Sequence, residues 1–326
     1  ILDPACGSGG MFVQSAEFIS DHLKNPYKEI SIYGQEKADD TVRLCKMNLA
    51  IHGLSGDIRQ GNTYYEDVFN MQRQFDFVMA NPPFNVNNVD RESVKDDPRY
   101  RFGIPTVDNA NYLWIQVFYS MPNDNGRAGF VMANSANEAG YSELEIRKKL
   151  IEAGVVDVVI SIASNFFYTV TLPVTLWFLS KEKRNTKLAD KVLFIDARDI
   201  YKQIDRAHRE FTPQQIEFIS NIVRLYRGQE IETNKCSLSI VKKHFPHVKY
   251  TDVKGLCKVS TVREIKEQRW SLNPGRYVGV KSVSIGVEDF NERVSALYRE
   301  LQDLNNRSNI LQDKINRVLN SLINEE

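Results

Sequence analysis

Asn81-Pro82-Pro83-Phe84 closes the apolar run Phe75–Ala80. An amide, two prolines and a large aromatic at the end of a buried strand are residues for handling a flat, amine-bearing ring. The Asn81 side-chain oxygen can accept from an amino N–H. Pro82 and Pro83 stiffen the turn, and Pro82 has no N–H of its own, so carbonyl oxygens there are free to face the same amine. Phe84 offers a face for stacking. Such a set accepts two hydrogen bonds from an exocyclic amine and leaves the nitrogen lone pair aimed at an electrophile, with no strong base required.

A second group opens the chain. Leu2-Asp3-Pro4-Ala5-Cys6-Gly7-Ser8-Gly9-Gly10 runs from a strand into a helix beginning near Met11. Glycines at 7, 9 and 10 let a ligand approach the backbone, and the helix start offers unpaired N–H groups. The G-x-G-x-x-G spacing of a pyrophosphate loop is absent. Asp3 stands there instead; its carboxylate would repel a phosphate and suits an ammonium. Glu36 ends the next strand, where an acid can accept from both ribose hydroxyls. Asn62 ends the third, "IRQGNT", where its amide oxygen can take a hydrogen bond from an adenine edge. The ligand these residues describe is a nucleoside carrying a cationic amino-acid tail.

These residues need elements to hold them at one edge. Strands are expected at Ile30–Gly34, Phe75–Ala80, Ala128–Ala133, Val155–Ser161 and Val174–Leu179. Helices are expected at Met11–Leu23, Ala38–His52, Tyr112–Ser120 and Ser142–Ala153, the last stopped by Gly154. Apolar strands alternating with amphipathic helices imply an α/β fold: a mostly parallel sheet with helices on both faces, and ligands outside the strand carboxyl ends. Beyond residue 181 the pattern thins to a strand at Val192–Asp196 and a helix at Thr212–Arg227. The segment Lys235–Lys281 holds 11 bases and 3 acids, against 15 bases and 22 acids in residues 1–180. It fits a polyanion contact or a solvated linker equally well.

The tail is regular. Phe290, Val294, Leu297, Leu301, Leu304, Ser308, Leu311, Ile315, Val318 and Leu322 keep a 4, 3 spacing without a slip, the period of a coiled-coil seam. At ~1.5 Å per residue it makes a rod on the order of 50 Å long. So long a seam calls for a partner helix rather than folding back on its own domain.

The 326 residues are 42% hydrophobic and 26% charged with zero net charge, ordinary for a soluble globular chain. No apolar run nears the ~20 residues of a membrane span. The cysteines Cys6, Cys45, Cys236 and Cys257 lack metal-ligand spacing and are too sparse for a disulfide framework, so no metal is expected and a cytoplasmic, reducing setting is. The chain opens inside a core strand, which points to a fragment of a longer protein.

"DPACGSGG", "GQE" and "NPPF", in that order, resemble the S-adenosylmethionine-dependent amino-methyltransferases that modify adenine in DNA. "YGQEKADDTVRLCKMNLAIHG", "NYLWIQVFYSM", "GRAGFVMANSA", "IRKKLIEAGVVDVVI", "SNFFY", "LPVTLWFLSK", "LFIDAR" and "WSLNPGRYV" narrow the resemblance to the modification (M) subunit of type I restriction–modification systems, over almost the whole chain. The resemblance implies a Rossmann-like methyltransferase sheet over residues 1–200 that lacks the family's N-terminal part, a mixed, basic extension over 201–286 and a heptad helix over 287–326. It implies that Asp3, Pro4, Ala5 and the backbone of Gly7, Ser8 and Gly9 hold the methionine part of S-adenosylmethionine, Glu36 the ribose and Asn62 the adenine; related enzymes often have Asp at this last position. It gives Asn81, Pro82, Pro83 and Phe84 to an adenine flipped out of DNA, with Phe167 as a second stacking aromatic or as core. Ala163 stands where the family pattern usually has proline.

The implied partners are DNA, a specificity (S) subunit docked on the tail helix, a second copy of the chain and, in a full complex, a restriction (R) subunit. Two other readings fit the same residues. One is a stand-alone methyltransferase acting on RNA or protein glutamine. The other is a docking fragment, inactive without an N-terminal region.

Overall fold

The computed structural model describes residues 1–22, 25–106, 108–167, 172–205 and 208–280, and helical residues between 294 and 316. The chain divides into two compact units, Ile1–Val280 and Lys281–Glu326.

Among the described residues, the first unit is built on a nine-stranded sheet. Its strands are β1 (Leu2–Asp3), β2 (Ile32–Glu36), β3 (Gly56–Gln60), β4 (Phe75–Ala80), β5 (Pro122–Ala133), β6 (Val156–Ile162), β7 (Val174–Ser180) and β8 (Lys191–Asp196); β9 (Lys202–Gln203) and β10 (Arg209–Glu210) pair separately, and β11 (Cys257–Thr261) completes the main sheet. The order is β11-β8-β6-β7-β5-β4-β1-β2-β3. β1 pairs in parallel with β2 and β4, β2 with β3, β4 with β5 and β6 with β8. Among the described residues, only β7 and β11 run antiparallel within the main sheet. The chain winds outward from β1 through β2 to β3, then returns to the other side of β1 with β4. The switch point, where an open parallel sheet binds ligands, therefore lies between β1 and β4.

The longer helices of this unit are α1 (Gly10–Asp21), α2 (Asp39–Ile51), α3 (Asn111–Ser120), α4 (Tyr141–Glu152) and α5 (Pro213–Tyr226). Strand alternation sends side chains to both faces, and an irregularity between Val156 and Val158 shifts its phase. Val156 and Val159 join the core with α3 and α4, while Val158 and Ile160 pack with Phe218 and Ile222 of α5. A third cluster joins Phe12 and Ala16 of α1 and Val42, Cys45 and Leu49 of α2 to Ile32 and Ile58. All seven residues of β6, the β-branched run VDVVISI, are buried, as a strand covered on both faces should be. Asp157 is the one acid in that run, and the Arg227 guanidinium reaches its carboxylate at 2.5 Å.

Several sequence-based boundaries shift by a few residues. The first-named strand runs Ile32–Glu36 rather than from Ile30, and Ala128–Ala133 is the inner half of a twelve-residue β5. The third strand stops at Gln60, so Asn62 lies in the turn beyond it. Gly154, at φ 67°, ends α4 as expected, its N–H donating to Ile151 O at 2.9 Å. Thr212 and Gln215 cap α5 reciprocally. The edge strand β11 was not legible: Lys258 and Ser260 break its apolar pattern, and it exists by pairing with β8.

In the second unit, the described residues from Val294 to Asn316 are helical. Val294, Leu297, Leu301, Leu304, Leu311 and Ile315 are between 46% and 59% exposed. The seam positions Phe290, Val318 and Leu322 lie outside the described residues.

Candidate functional site

Four neighbouring strands end at one edge, in the order β4, β1, β2, β3. Asp3 is the last residue of β1 and Glu36 the last of β2, Asn62 follows β3 by two residues, and Asn81 follows β4 directly. The parallel registers Leu2↔Val78, Asp3↔Gly34 and Glu36↔Gln60 bring residues from separate sequence regions to that edge.

Asp3 is 2% exposed. The Ala5 N–H donates to its Oδ1 at 2.9 Å. Burial nevertheless pushes its carboxyl up to about 7, with the Ala5 hydrogen bond opposing and the nearby Glu36 charge adding to the rise. A buried carboxyl in this state lacks a cation. Glu36 ties the two loops together: Gly7 N–H donates to one carboxylate oxygen and Ala38 N–H to the other, each at 3.1 Å. Each oxygen keeps a further lone pair for a ligand hydroxyl.

The glycines divide their work. A Cβ on Gly9, at φ 82°, would lie 2.8 Å from Cys45 Sγ, so this glycine serves close packing of the loop on α2. Gly7, at φ 51°, faces open space, with nothing within 4 Å of where a Cβ would be. That open side is a cradle a ligand can enter, and beside the cation-poor Asp3 it fits the amino-acid end of S-adenosylmethionine. The loop is also held from behind, where Asn48 donates to Ser8 O at 2.9 Å. Pro4 is buried and its carbonyl accepts from Thr63 Oγ1 at 2.5 Å, joining the loop to the turn after β3. Ala5 is half-buried against the main core.

Asn62 shapes its own turn: its Oδ1 accepts from the Tyr64 N–H at 3.2 Å. Among the described residues its amide nitrogen has no partner, and the oxygen keeps a second lone pair, so the amide can both donate to a ligand and accept from it. Asn81 and Pro83 are exposed, Pro82 is buried and Phe84 is half-buried. The segment after them is pinned. Asn85 N–H donates to Asn111 Oδ1 and Asn111 Nδ2 donates back to Asn85 Oδ1, both at 2.9 Å, while Asn109 reaches the same oxygen at 3.1 Å. Asn85 sits at φ 53°, a conformation asparagine tolerates better than most residues. Phe167 lies beyond the end of β6, three strand positions from β4, or roughly 14 Å across the sheet. It is half-buried, and its neighbour Phe166 packs 4.5 Å from Phe211. Phe167 thus lies on the same edge as Asn81, in the loop three strands away.

Arg99 was not anticipated. It is 1% exposed, and its guanidinium donates to the carbonyls of Thr63, Glu66 and Tyr64 at 2.9, 3.1 and 3.4 Å while pairing with Asp97 at 2.5 Å. Tyr100 donates to Tyr64 O at 2.7 Å, and Trp114 Nε1 to Tyr64 Oη at 2.6 Å. The turn carrying Asn62 is fastened from below by these side chains. The hint in the sequence was "DPRYRFG", dense in groups that make buried polar contacts.

The basic stretch 235–281 spends much of its charge at home. Lys235 pairs with Asp21, Lys258 with Glu264, Arg263 with Glu267 and Arg276 with Glu138. "WSLNPGRYV" packs into the core: Leu272 N–H donates to Asn137 O at 2.9 Å, and Tyr277 stacks 4.0 Å from Phe194. Among the described residues no group of three or more His, Cys, Asp or Glu could hold a metal ion, and no helix is long and apolar enough to cross a membrane.

The sequence model of the family described as N-6 DNA Methylase matches residues 1–285. The chain is similar to the type I restriction enzyme MjaIX methylase subunit of Methanocaldococcus jannaschii, 40% identical over 328 residues, covering 99% of this chain and 55% of that protein. It is 34% identical to the HindI methylase subunit of Haemophilus influenzae over 324 residues, covering 99% of this chain and 68% of that one. Among solved structures, the type I restriction-modification system methyltransferase subunit from Streptococcus thermophilus superimposes with a TM-score of 0.70 at 25% identity, over 85% of this chain and 53% of that chain. The chain thus spans little more than half of the first relative. With the family model matching residues 1–285 and the relatives covering nearly the whole of this chain, the chain belongs to the N-6 DNA methylase family.

Proposed function

We propose that this chain transfers a methyl group from S-adenosylmethionine to the N6 amine of an adenine flipped out of DNA, as part of the modification subunit of a type I restriction–modification complex. The observation that carries the reading is the convergence of Asp3, Glu36, Asn62 and Asn81 on four adjacent strand ends around the open side of Gly7. Asp3 takes the cofactor's ammonium, Glu36 the ribose hydroxyls, and Asn62 the edge of the cofactor's adenine through its amide. When bound, S-adenosylmethionine supplies an electrophilic methyl group on a sulfonium. Asn81 Oδ1 and the Pro82 carbonyl accept the two amino hydrogens of the target base, which turns its nitrogen lone pair toward that methyl. Phe84 stacks on the base, and Phe167 is the candidate for its other side. The methylated amine is strongly acidic while it carries the extra proton, and it gives that proton to water to reach the neutral product.

Family membership favours DNA over RNA or protein as the substrate. The exposed seam Val294–Ile315 supports docking on the long helices of a specificity subunit, with a second copy of the chain and a restriction subunit as further members of the complex. The test is methyl transfer to DNA by the chain together with its specificity partner. Asn81→Ala should lower the rate by at least about 100-fold with cofactor affinity unchanged. A variant that keeps the rate, or loses cofactor affinity instead, contradicts the role given to Asn81.

A further inference from the structure

A polar cavity lies at the opposite edge of the sheet. It encloses about 210 Å³ and is lined by Arg73, Arg101, Tyr119, Asp124, Lys181 and Arg184, among others. The antiparallel β7 is what assembles it. Because β7 runs against β5, its end delivers Lys181 to the edge where β5 begins, beside Arg73, which precedes β4. β4 is six residues long, so this cavity lies roughly 20 Å along the strand from Asn81 and outside the site above.

The cavity gathers four cations and, among its lining residues, one carboxylate. Lys181 is 5% exposed, its ammonium donating to the Pro122 carbonyl and lying 5.2 Å from the centre of the Tyr119 ring. The Arg101 guanidinium lies 5.9 Å from the same ring. Asp124 is shared: Arg73 holds it at 2.8 Å and Arg184 approaches to 3.9 Å. Asp124 and Arg73 are each about two-thirds exposed, so this pair is water-screened and readily exchanged. Burial, and then the neighbouring Arg73 and Arg184 charges, push the Lys181 ammonium down to about 8. A fold that gathers four cations around one shared carboxylate carries uncompensated repulsion. A multiply charged anion relieves it, and guanidinium forks suit phosphoryl oxygens.

We propose that this cavity is a phosphate-binding site distinct from the methyl-transfer edge. Its ligand is a phosphoryl dianion or diester, delivered either as a free phosphate or as a nucleic-acid backbone phosphate. Arg101, Lys181 and Arg184 hold it, and Asp124 swings aside. The inference does not depend on the methyltransferase reading, since neither Asn81 nor the glycine loop takes part.

The experiment titrates inorganic phosphate, pyrophosphate and a short DNA duplex separately into the chain by calorimetry. The same titrations are made with Arg101→Ala/Arg184→Ala and with Arg101→Glu alone, whose thermal melting in phosphate-free buffer checks folding. Saturable binding of phosphate or pyrophosphate to the wild type, weakened about tenfold or more in both variants, supports the free-ion form. Duplex binding weakened in both variants, with the salt slope of the double variant shallower by about 1, supports the backbone form. Binding of ion and duplex that is absent in the wild type, or identical in wild type and folded variants, overturns the proposal.

Discussion

At the scale of single residues, Asp3 is where function and stability pull against each other. Its ordinary carboxyl value of 3.8 rises to about 7 in the fold. A carboxyl raised on folding leaves stability intact below the unfolded value and removes it as pH climbs from about 4 to about 7. By that linkage the charge costs the free chain on the order of 4 kcal/mol above pH 7. Asp3→Asn should therefore raise the stability of the free chain at pH 8 by about 1–4 kcal/mol, measured by urea unfolding, while abolishing S-adenosylmethionine binding. A variant that is less stable, or that still binds, refutes the buried-charge account. Wild-type affinity for the cofactor should fall on acidification below pH 7, with a proton released on binding; calorimetry in buffers of different ionisation enthalpy reads both. Asp3, Glu36 and Asn81 were legible as candidates because an acid or amide at the end of an apolar run has little structural reason to be there. Arg99 was not, because a buried arginine leaves no periodic trace: its partners are backbone carbonyls 33 to 36 residues away.

At the scale of elements, the turns matter more than the strands they end. Arg99 fastens the Asn62 turn with three carbonyl contacts and an Asp97 pair. Arg99→Met would leave the Asp97 carboxylate without its cation and the Thr63 carbonyl without its donor, while the Tyr64 and Glu66 carbonyls keep Tyr100 and Gln35, so we expect a loss of about 3–5 kcal/mol in unfolding free energy together with weaker cofactor binding. A loss under about 1 kcal/mol would show that the turn holds itself. The glycine loop gives a matched comparison. Gly9→Ala meets both the left-handed φ and the Cys45 sulfur at 2.8 Å, whereas Gly7→Ala meets only the φ. Gly9→Ala should be the more destabilising by about 1 kcal/mol or more, and Gly7→Ala should chiefly impair ligand entry; equal melting temperatures would contradict this division. The strands themselves were readable because buried parallel strands are apolar runs. The sequence could not supply the direction of β7, since a mostly apolar strand such as VTLWFLS looks the same either way along the chain, nor β11, whose polar residues depend on a partner strand.

At the scale of the whole molecule, the two units have separate tasks. The unit Ile1–Val280 carries both sheet edges, and the unit Lys281–Glu326 carries the seam. Ending the chain after Gly286 should leave the melting temperature of the first unit and its S-adenosylmethionine affinity unchanged while removing binding to the specificity subunit. Retained partner binding would place the docking surface elsewhere. The heptad period was legible without a structure because it is purely local; the basic stretch was not, because whether Lys235 or Arg276 faces solvent or a home carboxylate depends on Asp21 and Glu138, far away in sequence. The most direct test of the central claim is a calorimetric titration of S-adenosylmethionine into the 326-residue chain, with Glu36→Ala as its control. The account predicts one-to-one, micromolar binding that Glu36→Ala abolishes. No binding to a folded wild type, or equal binding by the variant, would contradict it.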